Sequence, residues 1–216
     1  MGKEKVIWRF DPMILTEHIT PREILKRIWN IENQLKGYTD KLFFSFADIG
    51  EFYKKVEYNL KRANIAYKEW NYQTMSEIAE GLVKIREHWQ QNGWSITLST
   101  CAEQIDLQQF GIEHNRCIDG ELMKQIFSED KALVHYLNYG KMPLKGDLFD
   151  NANTPLSPEK LKDKGQRKSC NCMISKDIGM YNTCPHFCVY CYANTSKEVV
   201  LKNTQIPNKN NESIIK

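Results

Sequence analysis

The amino-acid sequence predicts an α/β protein with a cysteine-rich loop near its carboxyl end. Short apolar runs alternate with capped, amphipathic helical patterns, and this alternation predicts βα units. Five of the seven cysteines fall within 22 residues. With 216 residues, 41% of them apolar, and a formal charge of +3, the chain can bury a core and lacks the charge bias of a disordered protein.

Three short runs of aliphatic, β-branched and aromatic residues predict strands: residues 5–10 (KVIWRF), 42–46 (LFFSF) and 94–99 (WSITLS). Their hydrophobicity is nearly continuous rather than alternating. This is typical of strands in a parallel sheet that helices cover on both faces. We therefore expect the three strands to belong to a parallel sheet.

Capping residues mark the boundaries of the predicted helices. Thr20 and Glu23 form a capping box around a proline at the first helical position, and Gly37 ends this helix. Further helices are predicted over residues 51–63, 75–92, 120–127 and 131–139, the second of them with Thr74 and Glu77 as its capping box.

Alternation of strands and helices at this spacing predicts right-handed βαβ units. A TIM barrel needs eight strands, so three can form part of one, a TIM-like half barrel. We expect residues 1–155 to form this partial barrel and residues 156–200 to form a cysteine-rich segment of the same domain. Residues 201–216 are polar and are predicted to be a disordered tail.

Ionisable side chains follow each predicted strand, where parallel α/β proteins gather their chemistry. Arg9, Asp48 and Glu103 stand at the three strand ends and are our candidates for a substrate or cofactor pocket. A structural interpretation is equally open for any one of them. Arg9 can form an ion pair with Asp11 or Asp48, and the carboxylates can cap the turns that follow.

Composition and terminal sequence predict a cytoplasmic protein. No apolar run reaches the length of a membrane span, and residues 1–5 lead into the first strand without a signal peptide. A pI near 8.4 is only weak support for nucleic acid binding. In a reducing compartment, cysteines this crowded indicate metal or cluster ligation rather than disulfides.

The most compact cysteine group is C-x3-C-x2-C, formed by Cys184, Cys188 and Cys191. Three thiolates on a [4Fe–4S] cluster leave one iron open, whereas electron-transfer ferredoxins use four. An open iron is what the binding and cleavage of S-adenosylmethionine require. Tyr190 precedes the last cysteine and offers a flat surface for the adenine.

The other cysteines leave several interpretations open. Cys170 and Cys172 could supply a fourth ligand to the same cluster, or two ligands to a different centre. Cys101 is interpreted as a buried small apolar residue, and Cys117 has no evident role. A zinc-stabilised knuckle formed by the five clustered cysteines is the structural alternative.

The cysteine loop resembles that of the radical S-adenosylmethionine superfamily, whose pattern is C-x3-C-x-aromatic-C. The chain also resembles the bacterial domain-of-unknown-function family 1848 in four blocks that occur in order: "GKEKVIWRFDPMILT", "STCAEQIDL", "GQRKSCNC" and "DIGMYNTCPHFCVYCYANTS". The resemblance implies an iron–sulfur enzyme in which Cys184, Cys188 and Cys191 hold a [4Fe–4S] cluster that works with S-adenosylmethionine. A non-catalytic metal-binding or electron-transfer module, with zinc or a closed iron–sulfur cluster, is the alternative.

The same resemblance implies partners. The chain resembles the carboxyl-terminal portion of the family, so we expect either an upstream half that completes a split barrel or self-association through an open edge at residues 6–10. Radical chemistry requires a reductant protein. The loop is similar to that of the spore photoproduct lyases, which permits a nucleic acid substrate, although the net charge gives that little support.

Overall fold

The computed structural model describes residues 2–142, 161–162 and 167–204, so most of the predicted tail, residues 205–216, lies outside the described residues. The elements in chain order are β1 (Trp8–Met13), β2 (Leu15–Thr16), α1 (Pro21–Leu35), β3 (Lys41–Phe46), α2 (Ile49–Phe52), α3 (Lys54–Arg62), β4 (Tyr67–Lys68), α4 (Tyr72–Gln91), β5 (Thr97–Cys101), β6 (Glu113–Asn115), α5 (Gly120–Ile126), α6 (Lys131–Tyr139) and α7 (Lys197–Thr204). Short 3-10 turns lie at Lys3–Lys5 and Gln108–Phe110.

Four of the strands form one parallel sheet in the order β1-β3-β5-β6. Trp8 pairs with Leu42 across β1 and β3, and Lys41 pairs with Thr97 across β3 and β5. The two short strands β2 and β4 form a separate antiparallel pair. The predicted α/β class with parallel strands is therefore confirmed, and all four carboxyl ends lie on the same edge of the sheet.

The strand boundaries differ from the predictions, most at β1 and β5, and three strands, β2, β4 and β6, were not predicted. β1 begins at Trp8 and runs through Pro12, later than the predicted residues 5–10. β5 begins only at Thr97, and Trp94, at the predicted start, instead bonds its backbone N–H to Trp89 of α4 and donates its indole N–H to the Thr39 carbonyl at 2.9 Å. β6 has the sequence Glu-His-Asn, which carries no apolar signal.

The helices match the capping predictions with two corrections. Thr20 accepts a hydrogen bond from the Glu23 amide, as predicted for α1. The capping box of α4 is formed by Asn71 and Thr74 rather than by Thr74 and Glu77, so the helix starts earlier. The single helix predicted over residues 51–63 is two helices, α2 and α3, separated at Tyr53. None of the helices described is both long and apolar enough to cross a bilayer.

A tryptophan cluster anchors α4 against the first strand of the sheet. The ring of Trp8 lies 5.9 Å from that of Trp89 and 6.4 Å from that of Trp94, centroid to centroid. All three side chains are buried, so Trp8 packs into the core rather than adding exposed apolar surface to the open edge expected at residues 6–10. Pro12 also interrupts the donor row of this outer strand, in which proline is tolerated.

Candidate metal centre and strand-end cavities

Two cavities open at the carboxyl edge of the parallel sheet. One, of about 370 Å³, is lined by Cys101 at the end of β5, and the other, of about 710 Å³, is lined by Glu103. Ala102 lines both cavities and has a left-handed backbone (φ 60°), which few residues other than glycine adopt. Strain of this kind concentrates at functional sites. The turn at Ala102 directs its two neighbours into different cavities.

Three thiols converge in the smaller cavity. The sulfur atoms of Cys101, Cys170 and Cys172 all lie within 4.8 Å of one another, and all three residues are buried. The Sγ atoms of Cys101 and Cys172 are 3.9 Å apart. The first thiol comes from a strand and the other two from the segment near residue 170, so the fold joins thiols that are about 70 positions apart in the sequence.

Cys172 is the centre of this thiol group. Its Sγ atom accepts hydrogen bonds from the backbone N–H of Cys117 at 3.0 Å and of Ile118 at 3.3 Å. Hydrogen bonds from the thiols of Cys101 and Cys117, with the backbone donors, hold the pKa of Cys172 well below its ordinary value. The pKa of Cys101 is raised because its thiol bonds to Cys117 and Cys172. These donors favour the ionised form of Cys172 over that of its neighbours.

Arg9 lies against this group. Its guanidinium forms an ion pair with Asp11 at 2.5 Å and contacts the Cys117 sulfur at 3.3 Å. Although burial opposes the charge, these contacts raise the pKa of Arg9 above its ordinary value. The structural ion pair considered for Arg9 is thus present, and the same side chain also brings positive charge to the thiols.

The larger cavity is lined by four carboxyl side chains, those of Asp48, Glu51, Glu103 and Asp106, and an arginine contacts one of them. Arg167 donates to the Asp48 carboxylate at 3.1 Å and lies 4.2 Å from the ring centroid of Phe52. Glu103 is buried, and burial raises its pKa to about 7, although its carboxylate accepts a hydrogen bond from the Phe46 amide at 2.8 Å. This pKa lets the Glu103 carboxyl exchange a proton near neutral pH.

The three predicted pocket residues therefore divide between the cavities. Asp48 and Glu103 line the larger cavity together, and Arg9 lines the thiol cavity. Sequence reasoning missed Arg167, although it lies in the fragment "GQRKSCNC", whose cysteines are its most conspicuous feature.

The C-x3-C-x2-C loop lies on the surface as a series of tight turns. Cys184 and Cys188 are exposed and Cys191 is half-buried. Side-chain amides fix the backbone of the loop: Asn194 donates to the Cys184 carbonyl at 2.8 Å, and Asn59 of α3 donates to the Cys191 carbonyl at 2.9 Å. The backbone is thus held in place while the thiols remain accessible.

The loop packs beside the strand ends through its aromatic residues. Tyr190 and Tyr192 line a small apolar cavity of about 90 Å³ together with Tyr53, which also lines the thiol cavity. Burial, followed by the proximity of Cys188, raises the pKa of Tyr190. Tyr190 is therefore next to the loop thiols, as the sequence required, and half-exposed.

The structure separates the cysteines into two sets. Cys170 and Cys172 group with Cys101, and within the described part of the chain the loop cysteines do not form a set of three sulfurs this close. Cys101 and Cys117 were missed as partners, because one was assigned to the core and the other was given no role. The position of Cys101 at a strand end was the available signal, since strand ends converge.

Comparison with known proteins gives one match. No curated protein and no solved structure matches the chain. The family model described as Domain of unknown function (DUF1848) matches residues 1–193, which include the sheet, both cavities and all seven cysteines. The chain therefore belongs to the DUF1848 family.

Proposed function

We propose that the protein is a cytoplasmic iron–sulfur enzyme in which Cys184, Cys188 and Cys191 hold a [4Fe–4S] cluster that works with S-adenosylmethionine. The observation that carries the proposal is the accessibility of the loop thiols beside the strand-end cavities. Accessible thiols on a fixed backbone suit a group that must also bind a small molecule.

The arrangement of the loop fits a cubane cluster better than a single ion. Each cysteine of a cubane binds a different iron, so the three sulfurs need not crowd together. Within the described residues, the loop sulfurs are not grouped at single-ion distances. Three thiolates leave one iron for an outside ligand.

Cys184, Cys188 and Cys191 would hold the cluster, and the chemistry that it would supply is one-electron reductive cleavage of S-adenosylmethionine for hydrogen abstraction from a substrate. The residues of the chain would bind S-adenosylmethionine and orient it. Tyr190 offers an aromatic face for the adenine. Asp48 and Glu103 offer carboxyl groups to the ammonium of the methionine portion, and Arg9 and Arg167 offer positive charge to a carboxylate.

We further propose that the sheet is part of a TIM-like barrel and that a partner completes it. The parallel order β1-β3-β5-β6 supports this, because barrel strands follow one another in chain order. Among the described residues β1 and β6 are the outer strands, so further strands, from an upstream half or from a second copy, could pair there. Size-exclusion chromatography with light scattering tests this, and a 25.4 kDa monomer would contradict it.

A second function is favoured by the buried thiols. Cys101, Cys170 and Cys172 are enclosed and close together, as in a structural or electron-transfer centre. If the chain is only such a module, its metal is closed to outside ligands and the loop has no cofactor role.

Anaerobic reconstitution with iron and sulfide separates the two functions. For the enzyme we expect about four irons per chain and a change in the electron paramagnetic resonance spectrum of the reduced cluster when S-adenosylmethionine is added. The matched control is Cys188→Ala, which should lose both the iron and the response. A cluster that does not respond would favour the module, and zinc without any iron uptake would contradict both iron–sulfur interpretations.

A further inference from the structure

We propose that the buried thiols of Cys101, Cys170 and Cys172 and the half-buried thiol of Cys117 form a second metal site, which binds one tetrahedral Zn²⁺ ion with four thiolates. This site is separate from the cysteine loop and does not depend on the loop holding a cluster. It brings together a strand end, the turn that follows β6 and the C-x-C pair.

The distances between the sulfurs are those of a single ion. Tetrahedral zinc with Zn–S bonds of about 2.3 Å places its sulfurs roughly 3.8 Å apart. The Sγ atoms of Cys101 and Cys172 are 3.9 Å apart, and the group with Cys170 lies within 4.8 Å. A disulfide is excluded for the first pair in this conformation, because its bond is about 2.05 Å. Thiols that bind separate irons of a cubane stand farther apart.

Cys117 is the fourth ligand. Its thiol lies beside this group, although it is not one of the three sulfurs within 4.8 Å of one another, and it contacts Arg9 at 3.3 Å. Its own backbone N–H points at the Cys172 sulfur at 3.0 Å, so the turn that carries Cys117 already faces the site. Bringing the Cys117 sulfur up to the other three would complete a four-sulfur set.

The surroundings compensate the charge of such a site. Four thiolates and one Zn²⁺ carry a net charge of −2, which needs donors around the sulfurs. The N–H groups of Cys117 and Ile118 supply two of them, and Arg9 contacts the Cys117 sulfur at 3.3 Å. Single buried cysteines are common as small apolar residues. Three buried cysteines and the half-buried Cys117, brought together from three segments with N–H donors aimed at one sulfur, require a different cause.

The ion would fix the segment that leads to the cysteine loop. Ser169 donates to the Ala102 carbonyl at 2.8 Å, and Met173 donates its N–H to Ile118 at 3.2 Å, so this segment already contacts the strand ends. Cys184 follows Cys172 by only 12 positions. A zinc ion bound to Cys170 and Cys172 would therefore restrict where the cysteine loop can lie.

The test uses the full chain with Cys184→Ser, Cys188→Ser and Cys191→Ser, which removes the loop thiols and leaves the core intact. We expect this variant to retain one Zn²⁺ per chain, with four sulfurs at about 2.3 Å by zinc X-ray absorption spectroscopy. Adding Cys117→Ser should reduce the count to three sulfurs and one lighter ligand.

Several results would overturn the site. They are the absence of zinc from the loop variant, a count of three sulfurs before Cys117 is changed, or four sulfurs after it is changed. Iron with acid-labile sulfide in place of zinc, or a disulfide between Cys101 and Cys172 found by mass spectrometry, would overturn it equally. Spectroscopy of the loop variant distinguishes these outcomes even if the Cys117 variant does not fold.

Discussion

The two cysteine sets of this protein differ in burial and in spacing. Cys101, Cys170 and Cys172 are buried within 4.8 Å of one another, and N–H groups are aimed at the Cys172 sulfur. Cys184 and Cys188 are exposed on a loop whose backbone, rather than its sulfurs, receives the hydrogen bonds. The compact sequence motif is the open site, and the dispersed cysteines form the closed one.

The comparison shows that the spacing of cysteines in the sequence does not predict the distance between their sulfur atoms. A tight motif guarantees only that its thiols are on one loop. A closed single-ion site needs sulfurs at about 3.8 Å from one another, and here chain segments far apart in sequence supply them. A site that must bind a second molecule needs exposure instead.

The largest effect should be on metal content, when one cysteine of each set is replaced by alanine in separate variants. We expect Cys188→Ala to abolish iron–sulfur assembly because the loop would keep only two ligands. Cys172→Ala should retain the loop iron and lose the buried zinc. Metal and sulfide analysis after anaerobic reconstitution measures both.

Far-UV circular dichroism controls for unfolding in this pair. The Cys188 variant should keep the helical signal of the parent, because the loop follows the last strand of the sheet. Complete iron loss in the Cys172 variant, with the fold retained, would show that both sets serve one centre. Loss of the helical signal in the Cys188 variant would show that metal binding by the loop is required for folding.

Metal removal should give the next largest effect. Stripping zinc with a chelator is expected to lower the free energy of unfolding by several kcal/mol, less than the roughly 10–16 kcal/mol bound by zinc-finger peptides, because this sheet has its own core. Urea unfolding with and without chelator measures it. The control is the loop variant, which lacks Cys184, Cys188 and Cys191. On zinc removal its free energy of unfolding should fall by as much as that of the parent. An equal stability of both proteins with and without zinc would show that the ion is not structural.

The sheet was predictable from the sequence because its strands are continuous apolar runs. Residues 42–46 were predicted as a strand and form most of β3, and Thr20 caps α1 as expected. β6 was not predictable, because Glu113–Asn115 is polar and is a strand only through its pairing with β5. The break at Tyr53 likewise depends on tertiary contacts, including its hydroxyl, which accepts a hydrogen bond from Arg167.

The candidate site was predictable only in part. The sequence drew attention to the loop cysteines and to Asp48 and Glu103, which do share a cavity. It could not join Cys101 to Cys172, since their contact spans 71 positions. A non-local contact of this kind is set by the strand order, which one sequence does not reveal.

A moderate effect is expected where β3 meets the end of β5. The buried Glu103 carboxylate accepts the Phe46 N–H at 2.8 Å, so Glu103→Leu would leave that donor without a partner at a cost of about 1–3 kcal/mol. Glu103→Gln keeps a carbonyl acceptor and should cost much less. Chemical unfolding of both variants measures the difference. Equal destabilisation would show that the loss of the charged group, rather than of the acceptor, is decisive.

The smallest effect is expected at the loop, from Asn59. Its side-chain amide on α3 donates to the Cys191 carbonyl at 2.9 Å, across 132 positions, and is thus one of the contacts that fix the loop against the helices. Asn59→Ala should cost only about 0.5–1.5 kcal/mol, because one hydrogen bond is lost and its groups become accessible to water. The cluster should still assemble, since all three thiols remain, but a looser loop should shorten its lifetime in air a few-fold. Absorbance decay of the reconstituted protein after exposure to oxygen measures this.

Asn59→Asp is the matched variant, because it keeps the shape of the side chain and removes the N–H donor. Asn59→Asp should lose at least as much lifetime as Asn59→Ala, because its carboxylate would face the Cys191 carbonyl without a proton between them. Both should keep the buried zinc at one ion per chain, since Asn59 does not line the thiol cavity. Loss of zinc along with the cluster would show that the structure of the loop and that of the buried thiol site depend on each other. If the lifetime in air were unchanged in both, the hydrogen bond from α3 would have no part in holding the loop, and the contacts of Asn194 and the tyrosines would have to hold it alone.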